Sequence, residues 1–463
     1  MATHRTTDLK SRPRLKRARV AQLLGALGAA VLGVAMARTS APAAKLADPT
    51  FTKDVAPILY KNCTTCHRPE GIGPFSLLDY DGAKANLDDI HDAVQAGVMP
   101  PWHAAGPHGV FSNDRRLSDA DKETILRWIA TGAKLGDPKD QPPKPDYPTA
   151  WTIGAPDAVV QMTDDFTVPA AGTVEYQYFE VPTNFTEDKW VQAIEIMPGA
   201  REVVHHVLVF ARPPAPATPP QPAPTPAPAA TGAPRPAPLF IRQRDQNFMP
   251  EANRLDTLHP PPRNTGSLIG TETPGNNVMV FPKGAALRVR AGTVLTFQMH
   301  YTAHGHEMKD RTKVGFKFAS EPPDEEIFAS HFFNGGLNLP AGMKDVAVPA
   351  DLGFGQPVRI WGMMPHTHLR GTRWQYTLIK PDSSSEVILD VPRYDFNWQT
   401  YYMFAKPLDI APGSRLHAVA WYDNSPSNKN NPDPTKDVKW GDQTWEEMQY
   451  TGFLYSIPGR KVK

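Results

Sequence analysis

The chain has 463 residues, 40% of them hydrophobic, with 50 prolines and a formal charge of +1. That length exceeds a single hydrophobic core and implies two to four domains. Residues 1–43 hold eight Lys/Arg against one Asp, so the remainder is mildly acidic and lacks the basic face that nucleic-acid binding requires.

Residues 5–19 are basic and residues 20–37 are mostly apolar and small, with Ala35-Met36-Ala37 and Ala41-Pro42-Ala43 as candidate cleavage sites. This is the layout of a secretory signal over residues 1–43. It predicts export to the periplasm, although an uncleaved stretch of this kind could instead serve as a short membrane anchor. No Cys lies near its end to carry a lipid.

The two cysteines stand in Cys63-Thr64-Thr65-Cys66-His67. In this pattern two thiols bond the vinyl groups of a haem and the adjacent His ligates its iron. Zinc would need a second Cys pair, and a redox disulfide would not need His67, so a c-type haem is expected. Helices are expected over 52–62, with Val55, Ile58 and Leu59 on one side, and over 80–97. Ser118 with Asp121 can cap a third helix carrying Ile125, Trp128 and Ile129. Residues 44–135 thus read as a small all-α cytochrome c domain. Met99 is the expected second axial ligand, because Met99-Pro100-Pro101-Trp102 resembles the Met-Pro-Pro-Trp loop of many bacterial cytochrome c domains; His91, His103 and His108 compete for that role. Residues 136–150 are rich in Pro and Lys without apolar periodicity and read as a linker.

From residue 151 onward, short runs at 176–181, 190–196, 203–210, 287–289 and 294–301 read as strands bounded by Pro and Gly. Two mainly antiparallel β-sandwich domains are expected, at 151–319 and 320–463. Twelve prolines fall within 212–238, which reads as an insertion between strands.

Histidines recur through these domains. His205 and His206 are adjacent, and neighbours on a regular strand face opposite ways, so shared service to one metal requires a bulge, a strand end or different ring nitrogens. His300 sits in an expected central strand, where a hydrogen-bonded core histidine is the commoner case. His304 and His306 follow in a loop and read as solvated. On an extended strand, His366 and His368 face the same way and can clamp a metal, as can two polar residues merely facing solvent. Met448 alone reads as core packing.

Taken in order, His-His, His, His-x-His and Glu446-Glu447-Met448 resemble the copper type II ascorbate-dependent monooxygenases, the family of peptidylglycine hydroxylating and dopamine β-monooxygenases, over about residues 151–458. The resemblance implies that His205, His206 and His300 hold an electron-donating copper, with Gln298 nearby. It implies that His366, His368 and Met448 hold the copper that meets O2 and substrate. Imidazoles suit both copper oxidation states, while a thioether favours Cu(I). The peptide-hydroxylating members place an Arg and a Tyr for the substrate where this chain has Met364 and Gly452, so a peptide carboxylate is not the expected substrate.

The resulting expectation is an exported monooxygenase with one c-type haem and two copper ions. It would hydroxylate a C–H bond of an unknown small substrate, drawing electrons from a reduced cytochrome or an ascorbate-like reductant. The same ligands would serve a non-catalytic electron-transfer or copper-handling protein. A zinc hydrolase with a tethered cytochrome is disfavoured because no general base accompanies the histidines.

Overall fold

The expected leader and most of the Pro-rich insertion lie outside the described residues of this computed structural model, which are 47–69, 71, 73–147, 151–214, 237–243, 266–273 and 278–462. Among them, no helix is long and apolar enough to cross a membrane.

The helical unit begins with a turn at Phe51–Val55 that runs into helix Ala56–Asn62 and buries Val55, Ile58 and Leu59, the face expected from sequence. The helix expected over 80–97 is instead two, Tyr80–Ala85 and Leu87–Ala96. Asn86 separates them: its backbone leaves the helical region, and its side chain donates to the Gly82 carbonyl at 2.7 Å. A side-chain amide competing for backbone partners is why Asn interrupts helices. Ser118 caps helix Asp119–Ala130 by accepting from the Asp121 amide at 3.1 Å. Phe51, Leu59, Ile90, Val94, Ile125 and Trp128 close the core of this unit.

The rest is mostly β-sheet and consistent with two sandwiches. One sheet runs through both, in the order Ala158–Gln161, Lys313–Phe318, Lys189–Met197, Ala285–Val289, Glu325–Phe333, Tyr450–Ser456, Val358–His366, Tyr402–Ile410. Its seam is a parallel pair, with Glu325 opposite Ala285, whereas the neighbouring pairs are antiparallel. A four-stranded sheet containing Val204–Arg212 and Val294–Tyr301 faces the first half, and a five-stranded sheet containing Gly371–Ile379 and Arg415–Tyr422 faces the second. The halves are therefore less separate than two sandwiches in tandem. The first core also takes in Met364, Tyr401 and Leu454 from the second half. Conversely, Phe240–Arg242 pairs with Val346–Phe354 at the edge of the second.

Residues 102–113 fasten the helical unit to this scaffold. The Ser112 amide donates to Met403 O at 2.8 Å and the Ala405 amide to Val110 O at 2.9 Å, which extends the shared sheet beyond Tyr402–Ile410. Trp102 and Phe111 are buried with Tyr402, ring centroids 5.1 to 5.7 Å apart. Residues 136–147, expected as a linker, return along the helical unit, where Tyr147 bonds Thr64 and stacks under Arg68.

Candidate metal centre

The adjacent histidines meet the geometric condition set by their sequence. His300 lies directly opposite His206, but the next partners are Tyr301 and Val204, so His205 is the extra residue of a β-bulge. The bulge turns its ring to the side of its neighbour. His205 Nδ1 lies 3.1 Å from His206 Nδ1, which lies 3.3 Å from His300 Nδ1. Ligands about 2 Å from one ion stand at such separations from each other. No other group of three or more His, Cys, Asp or Glu among the described residues converges in this way.

Burial holds all three imidazoles below their ordinary pKa, His300 to about 3, and mutual repulsion adds to the effect at His206 and His300. Neutral rings keep the lone pairs a metal needs. Their far sides are supported. His205 Nε2 lies 3.2 Å from Asn397 Oδ1, His300 Nε2 lies 3.4 Å from Thr444 Oγ1, and the Tyr176 ring packs on His300 at 4.9 Å. His206 Nε2 is buried without a partner. Gln298 Nε2 donates to the Tyr178 hydroxyl at 2.7 Å.

His366 and His368 converge by a different route from the strand alternation expected. The strand Val358–His366 ends at the first of them, and His368 lies in the turn that follows. Glu447 shapes that turn, accepting from the amides of His368 at 2.8 Å and Arg370 at 2.6 Å. Tyr394 Oη donates to Thr367 O at 2.9 Å. The rings stand 5.1 Å apart at 81°. His366 Nδ1 lies 2.8 Å from Gln399 Oε1 and His368 Nδ1 lies 3.1 Å from Glu446 O. A ring that donates through Nδ1 presents its Nε2 lone pair, the usual arrangement of a metal-binding imidazole. His368 Nε2 is buried with no protein partner. Burial pushes His366 down to about 4 and His368 well below its ordinary range.

Met448 follows Glu447, whose Oε2 accepts its amide at 3.3 Å as well as that of His368. One carboxylate oxygen thus ties the backbone of Met448 to that of His368. Burial pushes the Glu447 carboxyl up to about 7, against the pull of the Arg370 and His368 amides and the Arg370 charge.

Three residues near these rings carried no sequence signal. Phe396, Asn397 and Gln399 lie around the short 3-10 helix Phe396–Trp398. The Phe396 ring stands 5.3 Å from His205 and 6.0 Å from His368, so it touches both histidine sets. Glu447 enters the sequence pattern only as part of Glu446-Glu447-Met448, because its role is to hold backbone amides, which leaves no spacing rule. Met364 and Gly452 face each other across paired strands, with Met364 buried in the first core. The position opposite Gly452 therefore offers a thioether and no charge.

At Cys63, Cys66 and His67 the thiols are unpaired, and burial raises both, Cys63 to about 12. His67 Nδ1 lies 3.2 Å from Phe75 O, which leaves Nε2 as its available nitrogen. Met99 is half-buried at the end of Leu87–Ala96, its amide donating to Ala93 O at 3.3 Å. The charges of Arg115, Arg201 and Arg68 pull the Cys66 thiol down and partly offset the rise that burial causes.

Residues 351–450 match the family model described as copper type II ascorbate-dependent monooxygenase, C-terminal domain. That domain makes the chain a copper-dependent oxygenase, and the family implies O2, a small-molecule substrate and ascorbate as reductant. The matched segment contains His366, His368 and Met448. No curated protein matches. Among solved structures, the major capsid protein P2 from Bacteriophage PM2 is 8% identical with a TM-score of 0.25, covering 66% of this chain and 99% of that chain. The mavirus major capsid protein is 7% identical with a TM-score of 0.17, covering 70% of this chain and 92% of that one.

Proposed function

We propose that this protein is an exported haem–copper monooxygenase that hydroxylates a C–H bond of a small substrate. The observation that carries this reading is the convergence of two histidine sets, one with three Nδ1 atoms aimed together and one with Nε2 atoms left open. His205, His206 and His300 would hold one copper, and His366, His368 and Met448 the other. Copper bound there supplies the oxygen chemistry. The balance is R–H + O2 + 2 e⁻ + 2 H⁺ → R–OH + H2O.

The protein's own part is to keep the imidazoles neutral, fix which nitrogen of each ring is open, and keep the site dry. Cys63 and Cys66 would bind a c-type haem covalently, with His67 and Met99 as axial ligands. Unpaired thiols and a His67 ring anchored through Nδ1 support that assignment. The haem would accept electrons singly from a reduced cytochrome or an ascorbate-like donor. The strapping of residues 102–113 onto the β scaffold supports a helical unit held against its partner. The apolar pairing of Met364 with Gly452 supports a substrate without a carboxylate to be recognised there.

The test is O2 consumption coupled to reoxidation of the reduced haem. Copper loading should accelerate both together. A non-catalytic electron carrier or copper-handling protein would consume O2 no faster after loading.

A further inference from the structure

Gln399 is fully buried between the 3-10 helix Phe396–Trp398 and strand Tyr402–Ile410. Its carboxamide lies between the two histidine sets. Oε1 is 2.8 Å from His366 Nδ1 and Nε2 is 3.4 Å from His206 Nδ1. The two contacts have opposite chemical meaning. Where Oε1 accepts, His366 must carry its proton on Nδ1, and its Nε2 lone pair is left for a metal. Where the amide N–H points at His206 Nδ1, it engages the same lone pair that converges with those of His205 and His300. A nitrogen lone pair cannot accept a hydrogen bond and bind a metal at once.

We propose that Gln399 is a positioning residue shared by both sets, which orients His366 for metal binding through Nε2 and competes with metal for the Nδ1 lone pair of His206. The inference rests on the reading that both sets bind copper. It goes beyond that reading because one side chain then acts with opposite sign on two metal positions. A residue that merely filled space would weaken both together.

The experiment uses the full-length chain and measures Cu(I) affinity by competition with a chelator. The sets are separated in His205→Ala and His368→Ala backgrounds, each with Gln399→Leu or Gln399→Glu. Leu removes both contacts at similar size. It should weaken the His366/His368 set by about 10- to 100-fold, as loss of an outer hydrogen bond to a metal ligand generally does, and should tighten the three-histidine set, whose His206 Nδ1 lone pair it frees. Glu still accepts from His366 and should restore the second set. Its charge beside the first should alter the Cu(II) EPR hyperfine splitting of the three-histidine copper. Equal weakening of both sets by Leu, unchanged affinity at both, or failure of Glu to restore the second set would overturn the proposal. If the wild-type chain binds no copper at either set, the functional reading fails first; if it binds at both and Leu changes neither, this inference fails alone. Thermal unfolding of each variant confirms that the chain is folded.

Discussion

His205 shows what single residues can and cannot announce. Two adjacent histidines signal possible ligands by chemistry, but their convergence depends on a bulge that pairs His300 with His206 and Tyr301 with Val204. Sequence could state that condition and could not show it met. Residues that hold the ligands were less legible still, because Glu447 works through backbone amides and Gln399 through contacts 33 and 193 residues away in sequence. Glu447→Gln replaces one accepting oxygen with an NH2 group facing amide donors. We expect a loss of about 2 kcal/mol in denaturant unfolding and a fall of about 10- to 100-fold in copper affinity confined to the His366/His368 set. Glu272 provides a separate test, of stability against pH. Burial pushes its carboxyl up to about 8 even though Arg201 stands 3.8 Å away, so desolvation outweighs the attraction. The folded state then binds a proton more tightly than the unfolded one. Its stabilising effect is complete below about pH 4.5 and is lost as pH rises to about 8. Glu272→Gln should flatten that slope, and an unchanged slope would show that another group sets it.

At the scale of elements, legibility followed the strength of local signals. Ser118 as a cap and the apolar face of Val55, Ile58 and Leu59 were readable because caps and periodicity are local. The break at Asn86 was not, since one side-chain bond to Gly82 decided it. The sharing of one sheet by both β halves was also hidden, because strand order is a long-range property. The turn after His366 has a strict steric requirement. A Cβ on Gly371 would lie 1.8 Å from Thr367 Oγ1, inside the pair of histidines. Gly371→Ala should cost about 1 to 3 kcal/mol by overpacking and lower copper binding at His366/His368 while sparing the three-histidine set. Equal copper affinity at both sets in a folded Gly371→Ala protein would show that the turn is not what orients the pair. Trp102, though it lies in sequence between helices Leu87–Ala96 and Asp119–Ala130, is buried in the second β core, so Trp102→Ala should cost about 3 to 5 kcal/mol. Hydrogen exchange should then rise together in residues 103–113 and in strand Tyr402–Ile410, since those backbones bond each other. Faster exchange in only one of them would contradict the strap.

For the whole molecule, the ordered set of histidines told more than any motif within it. Each was short and open to a structural explanation, yet the fold brings five of them around Phe396 and Gln399. The match over residues 351–450 spans one set, and the other lies outside it in the first half of the scaffold. The central claim is therefore that one chain builds two copper positions from separate ligand sets. Copper content per folded chain tests this most directly, measured after loading and removal of loose metal in the wild type, His206→Ala and His368→Ala. The account predicts two copper ions in the wild type and one in each variant. A folded wild-type chain that retains fewer than two, or variants that retain both, would contradict it.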